Sequence, residues 1–171
     1  MFQTVIRRVA CLVLGFGAYG AQAQLPHVLG VWELNLDKAQ LPAQLSIASE
    51  TRRYSLRDDG YLVVLAVRTA RNGAPEFIQI AAKTDGNDYP QYQSGALAEF
   101  TINGTRTPLT YAETLVDDHT VEAVGKFNGQ VVNKATRRIS ADGKTMTLNV
   151  TSYAPGRQEI SFVLVFDRRS E

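Results

Sequence analysis

Cysteine, tryptophan and histidine are nearly absent from this 171-residue chain, which has one, one and two of them. The cysteine, Cys11, falls in an apolar stretch near the amino end that reads as a removable leader. A mature chain without it has no thiol, which excludes disulfides, cysteine nucleophiles and thiolate metal sites. His27 and His119 lack the close spacing and convergent partners that a metal centre needs, so neither metal nor cofactor is expected. There is no Gly-x-Ser-x-Gly, no serine lies near a histidine in any catalytic pattern, and the acidic residues gather at turns. An enzyme is therefore disfavoured; it would have to work from a barrel lumen.

Long apolar runs and an excess of one charge are missing too. The one apolar stretch near the amino end runs from Val9 to about Tyr19, follows Arg7-Arg8 and precedes Ala21-Gln22-Ala23. It is too short to cross a ~30 Å hydrocarbon core, and the small residues suit a signal peptidase. Residues 1–23 are thus expected to be a signal peptide cleaved after Ala23, with one domain over 24–171, periplasmic or secreted. Of 18 Lys and Arg, the leader holds only Arg7 and Arg8, which leaves 16 basic against 17 acidic side chains. So balanced a surface gives no reason to expect a nucleic acid or anionic membrane as partner.

Turn dipeptides are plentiful. Asp59-Gly60, Asn72-Gly73, Asp85-Gly86, Asn103-Gly104, Asn128-Gly129, Asp142-Gly143 and Pro155-Gly156 punctuate the chain at strand or hairpin intervals. Asn-Gly and Asp-Gly favour the tight turns that join antiparallel strands. Between them the side chains alternate, most clearly at Ile160, Phe162, Leu164 and Phe166 and at Met146, Leu148 and Val150. Strands are expected near 29–36, 49–57, 60–69, 76–84, 97–102, 108–116, 119–127, 130–140, 144–153 and 159–168. The stretch 37–48 reads as a short helical turn or a loop over one barrel mouth, and 86–95 as an irregular loop. Eight to ten strands joined by tight turns form an up-and-down meander, which removes its edges by closing into a single antiparallel β-barrel. A β-sandwich would need more long crossovers. An outer-membrane barrel would need an outward apolar band, whereas many strands here have a face of Thr, Lys, Arg, Gln and Asn.

Gly30-Val31-Trp32 opens the first strand and Phe166-Asp167-Arg168 closes the last. A Gly-x-Trp with a late arginine packed on its indole resembles the closing device of lipocalin-like barrels. In that resemblance Gly30, Trp32 and Arg168 are structural, the indole sealing the floor while the arginine satisfies nearby carbonyls. The segments 30–38, 85–90, 118–122 and 136–147 resemble the small exported lipocalin-like proteins of bacteria. The resemblance implies a calycin-type barrel and an exported location, and it carries no catalytic set. The chain lacks the disulfide cysteines of the best-known lipocalins.

A lumen would be lined by aromatic and polar strand residues, and the candidates are Tyr54, Phe77, Phe100, Tyr111, Phe127 and Arg137. Arg137 shares the register of Ala135 and Ile139. If it points inward it must meet a carboxylate, from the protein or from a ligand, because an unpaired buried charge costs several kcal/mol. The Asp117-Asp118-His119 run reads as a hairpin turn. Asn103-Gly104-Thr105 and Asn149-Val150-Thr151 read as a turn and a strand rather than glycosylation sites. The leading functional expectation is a non-enzymatic binding protein for a small, mostly apolar ligand. The alternative is an envelope interaction protein with a filled barrel, contacting partners through Tyr89 to Gln93.

Overall fold

The computed structural model describes residues 26–43, 45–94, 109–153 and 158–170. The expected leader, Phe100, the strand expected at 97–102 and the Asn103-Gly104-Thr105 pattern lie outside them. A short 3-10 turn, Pro26–Val28, leads into ten strands: β1 Gly30–Leu34, β2 Ile47–Leu56, β3 Leu62–Ala70, β4 Pro75–Ala82, β5 Tyr89–Gln93, β6 Leu109–Asp117, β7 Thr120–Phe127, β8 Gln130–Ile139, β9 Thr145–Ser152 and β10 Ile160–Arg168. Every strand pairs antiparallel with its sequence neighbour, and β10 returns to β1 to close the barrel. The meander expected from the turn dipeptides is the one observed.

The turn chemistry is visible in the backbone. Asn128 and Gly129 both have positive φ, 50° and 79°, as a two-residue hairpin between β7 and β8 requires. At 117–120 the Asp117 carboxylate accepts the His119 amide at 2.8 Å, so this acidic turn uses its aspartate for geometry. Residues 35–43 form a loop. Asn35 Oδ1 accepts the amides of Asp37 and Lys38, and Gln40 bridges to Val163 of β10.

One expectation is corrected. Tyr89–Gln93 is a strand of the barrel wall, pairing with both β4 and β6, and not an irregular loop. Its alternation is inverted: Gln91 and Gln93 face inward while Tyr92 is exposed, so an apolar period could not reveal it. A segment built into the wall is also not the free contact loop that a partner-binding reading would use.

Up-and-down alternation puts the β2–β3, β4–β5, β6–β7 and β8–β9 turns at one end of the barrel. The end of β10 joins them there, and we call that end the floor. Towards it the lumen is packed: Val28, Trp32, Met146 and Phe166 are fully buried, and Val121, Ile139 and Leu164 nearly so. Burying each large side chain of this kind stabilises the fold by ~1.5–3 kcal/mol. The outer surface of β7 to β9 is polar, with Glu122, Lys134, Arg138 and Asn149 exposed. Among the described residues no helix is long and apolar enough to cross a membrane.

Candidate functional site

At the floor, period two turns Trp32 inward. Its indole Nε1 donates to the Val28 carbonyl at 2.7 Å. The Arg168 guanidinium lies over the ring, 4.2 Å from the centroid. Arg168 then donates to three carbonyls, through Nε to Gly143 at 2.6 Å and through its Nη atoms to Leu29 and His27. Two segments distant in sequence, 27–29 and the turn at Gly143, are thereby tied to one side chain of β10. Gly30 is required beside it: its φ is +115°, and a Cβ there would meet Arg168 Nη1 at 3.0 Å. His27 and His119 stack at this end, with centroids 4.4 Å apart and planes 16° from parallel. Among the described residues, no cluster of three or more His, Cys, Asp or Glu could hold a metal.

Away from the floor the packing opens into a cavity of about 300 Å³. The space follows from side-chain size. Ala66, Ala123 and Ala135 face the lumen where longer residues would fill it, and Ala123 and Ala135 are direct cross-strand partners. Val64, Ile78, Ile80, Ile160 and Phe162 supply much of the remaining apolar wall.

Two buried ionic groups are built into this wall. In the first, Arg137 of β8 reaches across the inner face of β7 to Glu113 of β6. The contact is two-pronged, Nη1 to Oε1 at 2.6 Å and Nη2 to Oε2 at 3.1 Å. Ala123, which pairs with Glu113 and lies between the two strands, leaves room for the crossing. Tyr111 donates its hydroxyl to the same carboxylate at 2.5 Å, and the Arg137 guanidinium lies 5.1 Å from the centre of the Tyr54 ring. Since β2 and β8 are four steps apart around the ten-strand circuit, this last contact crosses the lumen. Arg137 thus points inward, and the carboxylate it meets is the protein's own.

In the second group Glu50 of β2 is shared by two arginines. Arg52 Nε approaches Oε1 at 2.5 Å, and Arg68 Nε approaches Oε2 at 2.7 Å from the directly opposed position on β3. Arg52 also lies over Phe166, 5.1 Å from its centroid.

Burial and charge fix the protonation states. Burial alone would raise the Glu50 pKa, but Arg52 and Arg68 outweigh it and hold the carboxyl below its ordinary value. Burial would lower the Arg137 pKa, yet Glu113 outweighs that and raises it. Tyr111 is pushed well above the ordinary phenol range, by burial first and then by the Glu113 charge. All three shifts lead away from neutrality, so Glu50 and Arg137 stay charged and Tyr111 stays a neutral phenol, whereas general acid–base catalysis needs a pKa near the working pH.

Of the residues singled out from sequence, Tyr54, Tyr111 and Arg137 line the cavity. Phe77 does not: it faces outward and is 46% exposed, because β4 turns Ile78, Ile80 and Ala82 inward and leaves odd positions outside. Phe127, at the end of β7, is half-buried and is not among the residues that line the cavity. Glu50, Arg52, Arg68 and Glu113 were missed. Their signal was parity, since Glu50 and Arg52 share the register of Tyr54 and Arg68 shares that of Val64 and Ala66.

No family model matches this chain, and no curated protein does. Solved structures do resemble it at low identity. The wild-type fluorescent protein UnaG is 12% identical, with 85% of this chain and 100% of that one covered and a TM-score of 0.55. Rv2717c from M. tuberculosis is 12% identical, with 85% and 95% covered and a TM-score of 0.54. At such identity the likeness shows the fold alone: a lipocalin-like closed barrel.

Proposed function

We propose that this chain is an exported binding protein which holds a small, mostly apolar ligand in its barrel lumen and performs no chemistry on it. The cavity of about 300 Å³ carries this reading. It lies at the lower end of ligand-pocket sizes, ~300–1,000 Å³, and has the usual character of an apolar wall with a few placed polar groups. The leader over residues 1–23 supports export, and the polar outer face of β7 to β9 suits a barrel working in water. The test is native mass spectrometry of the protein purified from its own host, followed by organic extraction. A stoichiometric small molecule supports the reading. A folded, empty protein that also ignores fluorescent lipid probes refutes it. Amino-terminal sequencing of the envelope and extracellular fractions tests export, with Gln24 expected as the first residue.

A second reading, an interaction protein acting through its surface, is favoured by one observation. The outward Leu65, Val67, Phe77 and Tyr92 form an exposed apolar group on β3 to β5, with Val67 and Phe77 directly opposed. An empty, probe-indifferent barrel would direct attention to that face.

A further inference from the structure

We infer that the ligand is an amphipathic monoanion, and that Arg52 and Arg68 receive its carboxylate-like head. This rests on the reading of the lumen as a ligand site and adds the ligand's charge and the place where that charge sits.

The charge arrangement is lopsided. Among the described residues that line the cavity, the charged ones are Arg52, Arg68 and Arg137, and none is a carboxylate. The carboxylates belonging to these groups, Glu113 and Glu50, are almost fully buried and contribute no lining. Glu113 is matched one to one by Arg137 through two contacts. Glu50 is divided between two arginines, so three guanidiniums stand against two enclosed carboxylates and one positive charge is left over. The excess belongs to the Arg52–Glu50–Arg68 group.

That excess is poorly solvated. The Arg52 and Arg68 side chains are only 16% and 21% exposed. The other acid within range, Glu76, is 3.9 Å from Arg68 Nη1 with its side chain 43% exposed, so water and salt screen it. The Phe166 ring beneath Arg52 offsets part of the imbalance. Both arginines meet Glu50 through Nε, so neither uses its terminal nitrogens on that carboxylate, and Arg52 has the Tyr54 side chain as a further, uncharged partner. A planar, two-oxygen anion matches the fork that a guanidinium presents. Ala66 and Ile78, next along the inward row from Arg52, begin the apolar wall against which a hydrocarbon body would lie.

The experiment is calorimetric titration of the protein with decanoate and with decanol, which share a chain and differ in head charge. Decanoate is expected to bind about 10- to 100-fold more tightly, the range of a charge-assisted contact in a sheltered site. Arg52→Gln and Arg68→Gln should each erode that preference, while Arg53→Gln, at an exposed outward position on the same strand, should leave it intact. Thermal unfolding establishes that each variant is folded. Should the lumen variants fail to fold, the arginine Nε–H resonances of the wild-type protein decide. Decanoate, and not decanol, should shift those of Arg52 and Arg68 and leave the exposed Arg57 unmoved. Equal affinity for both probes overturns the anion site and leaves the carrier reading standing. A carboxylate preference indifferent to Arg52 and Arg68, in the variants or in the spectra, overturns the assignment to these residues. Binding of neither probe overturns the carrier reading and this inference with it.

Discussion

Removing one partner of the Glu113–Arg137 pair should damage the fold more than removing both. Glu113 and Arg137 are 1% and 3% exposed, so neither charge, left alone, can recover its hydration. Breaking a buried pair from one side costs ~3–5 kcal/mol, whereas replacing both partners by apolar residues of similar size is often nearly neutral. In a chain of this length ~1 kcal/mol shifts the melting temperature by about 2–4 °C, so Glu113→Leu alone should lower it by roughly 6–20 °C. Because Tyr111 donates to the same carboxylate, the clean comparison is made in a Tyr111→Phe background. There, Glu113→Leu, Arg137→Met and the double variant form a cycle, read by urea denaturation followed by circular dichroism. The expected coupling is ~3 kcal/mol, with the double variant more stable than either single one. A double variant as unstable as the sum of its parents would refute the reasoning, since it would mean that the two charges do not depend on each other.

Other outcomes follow from the floor and from the second ionic group. Arg168→Met removes the cation over Trp32 and three carbonyl contacts, and should cost ~3 kcal/mol. Trp32 is the sole tryptophan, so a red shift of its emission reports the loss directly. Gly30→Ala, forced to keep a φ of +115° against Arg168, should cost ~1–3 kcal/mol in the same assay. The Glu50 pKa is lowered on folding, so its contribution is complete above the ordinary value of 4.5 and drains away as pH falls through the lower folded value. Urea midpoints of the wild type should therefore fall below about pH 4.5 more steeply than those of Glu50→Gln, which starts lower at neutral pH; parallel acid limbs would show that Glu50 has no such role.

Much of this architecture was legible because an antiparallel barrel repeats a simple rule. Wherever apolar residues alternated between turn dipeptides, as over β9 and β10, the strand and its inward face could be read together. The rule failed where the lumen itself is polar. β5 puts glutamines inside and a tyrosine outside, which inverts the expected pattern. Phe77 was chosen for being aromatic, against the parity that Ile78 and Ile80 set. The same weighting passed over Glu50, Arg52 and Arg68, whose charge suggested solvent although their register pointed inward. For Arg137 the register shared with Ala135 and Ile139 offered the inward position, and the cost of an unpaired buried charge said that an inward arginine must meet a carboxylate, from the protein or from a ligand. Its partner, 24 residues away on a strand not adjacent to its own, could emerge only from the folded register.

The seam between β1 and β10 joins the first and last strands among the described residues, and Arg168 spans 139 positions to reach Leu29. On the ribosome nothing can seal the barrel until the final strand has emerged. Until then the growing sheet keeps two open edges, and Trp32 lacks its covering cation. Closure therefore becomes one late, all-or-nothing event with a large loop entropy against it, and folding should be slow for a domain of this size. A product truncated before β10 would keep both edges open and lack the arginine that covers Trp32.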